Sequence, residues 1–492
     1  MADLPKKPAE GAAPLMVRAG SSLKWSAMAE LGSKAFSPLV LVILARLLTP
    51  HEFGLVAVAT LGVTFVQMLW EGGLGRALIQ LDEKHLEAAN VVFWINLVLA
   101  ALAFAGLQAF AAPIAHFLGD QAAAPVLRVL GLQVIITAVG AVQQSLLTRE
   151  LNFRKLFRIR IVSTLGPGLV SIPLAVSGLG VWALVAGTLA GQTAAVALLW
   201  AGSSWRPSLS FDPSLARRLA GFGIWVALES FGAWLLTSGD NLVVGKNLGV
   251  HDLGIYRTGS ALVTVIFATL LSPLLPVAYP TFCRLQDNPE RLREVFMALN
   301  RLLVTAAVAI SCGLALVAPT LAVVIFSKKW EGLGWVIQLL AAMNGVAWIV
   351  GLNAELYRAM GRPDINTKLM YLQLLYYVPA YWFAAQKGLL VFCVVRAAVA
   401  MVSLPLHVFF AGLVLQLKWT YLWPLLRQPL LGALGMAVAV LAVQHGWPGS
   451  LEWARLAAMV AVGAVSFFLT VHLTNRRFFA GLRSFWAQKH RL

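Results

Sequence analysis

The chain has 492 residues, 59% hydrophobic and only 12% charged, with a mean hydropathy of +0.79, a composition that excludes a string of soluble domains and suits an integral membrane protein. A net charge of +17 would point to nucleic acid in a soluble chain, but the Lys and Arg gather loop by loop. That makes them a topology signal and argues against a nucleic-acid partner. Unbroken apolar runs of about 20 residues exclude a transmembrane barrel.

The polar leader, 1–22, shows no cleavable signal, and the apolar run after it is long enough to stay as an anchor. Apolar length and breaks then predict 14 spans, at 24–48, 54–79, 89–112, 124–148, 157–177, 179–201, 217–241, 254–279, 296–319, 332–356, 366–386, 388–416, 424–445 and 452–474. Most Lys and Arg fall in the leader, the loops after even-numbered spans and the 476–492 tail, among them Arg149, Arg154, Lys155, Arg206, Arg284, Arg291, Arg358 and Arg476. The opposite loops, such as Ser177-Gly178, are short and poor in charge, so both termini are expected in the cytoplasm. Trp25, Trp330, Trp419, Trp423, Trp447 and Trp453 sit near predicted helix ends, where aromatic belts form.

One stretch is written twice. Residues 45–55, ARLLTPHEFGL, and 245–255, GKNLGVHDLGI, align at a shift of 200: Leu48 with Leu248, His51 with His251, Gly54 with Gly254, Arg46 with Lys246 and Glu52 with Asp252. Each reads as the turn of a helical hairpin at a membrane surface. Arg149 in LLTRELNF and Arg358 in ELYRAMGR give a second match. The fold expected is all-α, with about 14 transmembrane helices: two pseudo-symmetric six-helix lobes in a parallel repeat, residues 23–202 and 215–417, followed by two C-terminal helices in 418–475. The polar stretch 203–214, with Pro207 and Pro213, reads as the inter-lobe linker. No loop is long enough for an extramembrane catalytic domain, so the chain reads as a non-enzyme.

Charges inside spans are costly and therefore candidates for function. Glu30 and Lys34 lie four apart on one face of span 1, and Glu229 takes nearly the corresponding place in span 7. They read as a proton or cation site, as an anchor for a sugar hydroxyl, or as an internally neutralised pair between helices. Asp240, next to Asn241, reads either as a cation ligand or as a helix-end hydrogen-bonding group. The basic set is Lys34, Arg128, Lys246, Arg257 and Arg396; a guanidinium facing an aqueous cavity suits a diphosphate, whereas Arg257 and Lys246 could equally snorkel to the interface. Pro38, Pro167, Pro273 and Pro276 are hinge candidates, since each removes a backbone bond inside a span. The three cysteines, Cys283, Cys312 and Cys393, and the eight His show no metal spacing, and no phosphate-binding loop is present, so neither a metal nor a cofactor is expected.

The strings LKWSAMAELG, LARLLTPHEFGLVAVA, EGGLGRALIQ and GDNLVVGKNLGVHDLGIY resemble the polysaccharide export flippases of the multidrug/oligosaccharidyl-lipid/polysaccharide exporter superfamily, over roughly Leu23 to Gln416. The resemblance implies a central cavity between two lobes and transport of an undecaprenyl-diphosphate-linked oligosaccharide from the cytoplasmic to the periplasmic leaflet of a bacterial inner membrane. The intramembrane carboxylates allow coupling to H+ or Na+, and membrane lipids and polymerase and export machinery are the other partners expected. By location the resemblance also implies Lys34 and Arg257 as cavity basic residues. A cation-coupled drug or metabolite exporter of the same superfamily is the rival reading, followed by a polysaccharide polymerase or ligase and by a membrane scaffold.

Overall fold

In the computed structural model the residues described are 36–71, 78, 85–150, 152–209, 212–447, 449 and 451–474. Every regular element among them is helical, as it must be where hydrocarbon leaves no water to satisfy the backbone. In chain order the helices are α1 (Phe36–Leu47), α2 (Pro50–Glu71), α3 (His85–Phe117), α4 (Ala123–Leu130), α5 (Leu132–Arg149), α6 (Phe153–Val176), α7 (Val181–Gly202) and α8 (Pro213–Leu271). They continue with α9 (Leu275–Leu285), α10 (Pro289–Leu321), α11 (Leu333–Ile349), α12 (Asn353–Ala359), α13 (Pro363–Ala385), α14 (Leu389–Leu415), α15 (Leu422–Gly446) and α16 (Glu452–Thr474).

Local chemistry sets several of these starts. Before α2 the sequence Thr-Pro-His-Glu forms a capping box: the Thr49 amide and hydroxyl donate to Glu52 at 2.7 and 2.8 Å, and Pro50 takes the first helical position, where no amide hydrogen is needed. Asn152 accepts from the Lys155 amide to open α6, and Asn288 from the Arg291 amide to open α10. At the head of α13 the guanidinium of Arg362, and then the ammonium of Lys368, hold the Asp364 carboxyl down at about 2.

Eleven stretches among the described residues are long and apolar enough to cross a membrane, one of them the 56-residue Ser230–Leu285. That stretch is interrupted twice. At Gly249 the backbone turns to φ 84°, ψ 178°, a conformation open essentially to glycine, and α8 breaks there. At Ser272–Leu274 a single 3-10 turn carrying Pro273 leads into α9, with Pro276 in its first turn. The polar turn expected over 242–253 is thus reduced to one residue, because Lys246 stands exposed on an unbroken helix and the Asn247 side chain donates back to the Val243 carbonyl one turn earlier.

The chain divides into two compact units, residues 1–48 with 58–234, and residues 49–57 with 235–492. In the first, α6 and α7 pack through glycine. A Cβ on Gly191 would come within 2.4 Å of the Pro167 ring, and one on Gly166 within 3.1 Å of the Gly191 Cα. Gly187 and Gly191 make a small-xxx-small face, which lets helices approach where no hydrophobic effect drives them together. The segment after α7 is pinned to α3: Asn90 donates to the Ser208 hydroxyl at 2.7 Å and accepts its amide at 3.0 Å, and the Trp94 indole donates to the Ser208 carbonyl at 2.8 Å. Phe93 packs edge-on to Trp94, Trp200 and Trp205 at the centre of this contact.

In the second unit α10 packs on α11 and α15, α11 and α13 pack on α14, and α15 pairs with α16. The start of α2 belongs here. A Cβ on Gly54 would run into the Val250 carbonyl, and a Cβ on Gly254 into the Pro50 carbonyl, so positions 200 apart exchange the same contact. Beside this crossing, Phe53 meets the buried Trp330 edge-on at 5.2 Å.

Gly254→Ala forces a methyl into a backbone carbonyl and is expected to destabilise the protein by about 1–3 kcal/mol, seen as a lower unfolding midpoint in detergent. Gly106→Ala, with nothing within 4 Å of the added carbon, is expected to leave the midpoint unchanged or raise it slightly.

Candidate functional site

Inside the second unit the two arms of α8 run together on either side of the Gly249 break. Asp240 lies nine residues before it and Tyr256 seven after, each about 10–14 Å from the break at helical rise. Their side chains meet: the Tyr256 hydroxyl donates to the Asp240 carboxylate at 2.6 Å. The other donors come from Asn241, whose amide and side-chain nitrogen reach Asp240 Oδ1 at 2.7 and 2.8 Å, and from Arg396 on α14, whose Nη1 donates to Oδ2. Four donors saturate the lone pairs of a carboxylate. Asp240 is 5% exposed and Tyr256 fully buried.

Aromatic rings wall this cluster. The Arg396 guanidinium lies 5.4 Å from the Tyr256 ring centre, a cation–π contact. Tyr256 packs edge-on to Phe392, Phe392 to Tyr381, and Tyr381 stacks on Tyr377. These rings lower the local dielectric, which strengthens the Asp240–Arg396 attraction and raises the cost of losing either partner.

Arg257 follows Tyr256 and is half-buried. Its charge interacts with Asp240, yet Asp240 has no lone pair left for it, and Arg257 makes no hydrogen bond or ion pair among the described residues. The arrangement is a neutralised pair with a second guanidinium beside it, its fork of donors unengaged.

Of the residues singled out from sequence, the structure brings together Asp240, Arg257 and Arg396. Lys246 lies exposed on the arm of α8 before Gly249. Arg128 is exposed in the last turn of α4, in the first unit. Glu30 and Lys34, and the side chain of Glu229, lie outside the described residues. Pro38 is in α1, half-buried, and Pro167 is inside α6, where Gly191 packs on it; Pro273 and Pro276 mark the α8–α9 break. Tyr256 was not legible as a site residue, since nothing in its sequence neighbourhood shows that its hydroxyl answers a carboxylate 16 residues back. Among the described residues no group of three or more His, Cys, Asp or Glu could hold a metal ion.

This geometry belongs to a multi-pass helical membrane protein of a known fold. It resembles a lipid II flippase, MurJ, in an inward closed conformation, with a TM-score of 0.75 at 10% identity over 93% of this chain and 100% of that one. An inward-facing multidrug transporter of the MATE family gives 0.61 at 13% identity, over 77% and 95%. The chain belongs to the polysaccharide biosynthesis protein family, whose model matches residues 43–333. Its relatives include the succinoglycan biosynthesis transport protein ExoT of Rhizobium meliloti (strain 1021), 27% identical over 92% of both chains, and the teichuronic acid biosynthesis protein TuaB of Bacillus subtilis (strain 168), 25% identical over 92% of this chain and 95% of that one. The lipopolysaccharide biosynthesis protein WzxC of Escherichia coli (strain K12) is 26% identical over 75% of each.

Replacing Arg396 by Met strands the buried Asp240 charge and is expected to cost about 3–5 kcal/mol. The double variant Asp240→Leu/Arg396→Met removes both charges and should recover most of that loss, read as denaturant midpoints of the purified protein.

Proposed function

We propose that this protein flips an undecaprenyl-diphosphate-linked oligosaccharide from the cytoplasmic to the outer leaflet of a bacterial inner membrane by alternating access, for exopolysaccharide, capsule or lipopolysaccharide assembly. The chain is read as fourteen spans in two six-helix lobes plus two helices, with both termini in the cytoplasm. It acts as a transporter and not as an enzyme. The observation that carries the reading is Arg257: a guanidinium within a membrane-spanning stretch, without a hydrogen-bond partner among the described residues, next to a carboxylate that is already saturated.

A diphosphate offers what Arg257 lacks. Its oxygens accept the guanidinium fork bidentately, and a low-dielectric site makes the charge-assisted bonds strong. Once the diphosphate is bound, its charge also competes with Asp240 for Arg396. Drawing Arg396 across releases Asp240, and like-charge repulsion between carboxylate and diphosphate then limits how tightly the cargo is held. The site thereby binds an anion without trapping it, as a carrier must. The sugar stays hydrated in the cavity while the polyprenyl tail remains in lipid, since hydrocarbon tolerates the tail and not the head group. Family membership and relatives named for succinoglycan transport and teichuronic acid and lipopolysaccharide biosynthesis support a sugar-bearing cargo.

Because Arg257 bonds nothing in the fold, Arg257→Ala is expected to shift stability by less than about 1 kcal/mol while abolishing polymer export in a deletion strain. Arg257→Lys keeps the charge but not the fork and should restore export in part. The deletion strain should accumulate a lipid-linked repeat unit on the cytoplasmic leaflet. Intact export with no such accumulation overturns the reading, and loss of drug resistance in its place favours a drug exporter.

A further inference from the structure

The helix that supplies Arg396 also carries a histidine in its apolar run. His407 sits in VSLPLHVFF of α14, eleven residues past Arg396, or about 16 Å along the axis. A histidine inside a membrane span is costly unless it has a use. His407 Nε2 lies 2.9 Å from Gln373 Nε2 on α13, so one of the two groups donates and the other accepts, according to the tautomer and the amide orientation. Its Nδ1 is buried with no partner. Its carbonyl accepts from the Asn353 side-chain nitrogen at 3.0 Å and the Tyr357 hydroxyl at 3.2 Å, both on α12. Asn353, tied to His407 in this way, keeps its own side-chain oxygen buried and unpartnered.

A neutral imidazole leaves Nδ1 without a partner here. Protonated, His407 donates from both nitrogens. Gln373, with its amide turned, offers an oxygen to Nε2, and Asn353, bonded to the His407 backbone carbonyl, carries a buried side-chain oxygen that is still unused. No carboxylate is bonded to the ring among the described residues, so the added charge would stand alone, held by neutral acceptors and ready to be given up. The titratable groups around it are few. α13 contributes Tyr377, bonded to Ser403 at 2.8 Å; α12 contributes Tyr357 and the half-buried Glu355, which is paired with the exposed Arg358; Tyr421 interacts electrostatically with Tyr357. α10 contributes Arg293, which is engaged with the Leu415 carbonyl and Gln416, and α11 has no charged residue.

Pro405, between Arg396 and His407, donates no backbone bond and leaves α14 free to bend at that point. Asp240 is spoken for by four donors, which leaves this imidazole as the protonatable side chain with an open nitrogen on the same helix as Arg396.

We infer that His407 binds the proton that drives transport: it is protonated in one access state and deprotonated in the other, with the α14 bend linking its charge to the release of Arg396 from Asp240. The inference rests on the flippase reading only for what the proton drives; the proton site itself is testable without cargo.

Full-length protein in nanodiscs, labelled with 15N-histidine, is compared with His407→Gln. The resonance missing from the variant is expected to titrate between about pH 5 and 8, and Gln373→Leu, which removes an acceptor for the charged ring, should move that titration to lower pH. A His407 resonance that does not change over this range overturns the proposal. The same proteins in liposomes holding undecaprenyl diphosphate with one attached sugar are then followed by periodate oxidation of sugar reaching the outer leaflet. Wild type should flip several-fold faster under a one-unit pH gradient, while His407→Gln flips at one rate with or without it. A gradient response retained in His407→Gln also overturns the proposal. Absence of flipping in the wild type counts against the flippase reading alone, with the titration still deciding whether His407 binds a proton.

Discussion

A carboxylate in an apolar interior must have its charge answered from within the protein, and the arrangement around Asp240 follows from that requirement. Water is not available to solvate it, so Arg396 supplies a countercharge from α14 while Tyr256 and Asn241 fill the remaining lone pairs. To bring these donors together the chain must fold α8 back at Gly249 and hold α14 against α13, which places the Phe392, Tyr381 and Tyr377 rings where they do. Arg257 follows Tyr256 in sequence and is delivered to the same place, one cation more than Asp240 can use.

Close packing of the helices answers a different constraint. Lipid chains are as apolar as leucine, so helices gain little from burying leucine against each other and depend on shape. Glycine supplies the shape at Gly187 and Gly191 in the first unit, and at Gly432, Gly435 and Gly463 between α15 and α16 in the second. The two C-terminal helices are thus held to each other by the same means, and both also pack on α10.

Much of the fold was legible because the bilayer imposes a length on each element. Runs of about 20 apolar residues located most of the helices, whereas the start of α2 at Pro50, four residues before the span expected at 54, rests on a cap between Thr49 and Glu52 that hydropathy does not register. The fine structure of α8 was not legible, since hydropathy registers Lys246 and Asn247 as polar without saying whether the backbone breaks there. The partners of Asp240 were hidden for another reason: Arg396 lies 156 residues away, and no local pattern encodes a contact made by tertiary packing. A short polar pair such as Asp240-Asn241 looks like a helix end from sequence, whereas its burial against α14 is a property of the assembled helices. His407 was concealed by its neighbours, five of which are Leu, Val or Phe.

The reciprocal seat of Gly54 and Gly254 bears on how the protein is made. Residues 49–57 fold with the second unit, but they leave the ribosome about 200 residues before Val250 and Gly254 do. At roughly 5–20 residues per second that interval is on the order of 10–40 s. During it Gly54 and Pro50 lack the residues they pack against, so this contact closes only after most of the chain before it has been made.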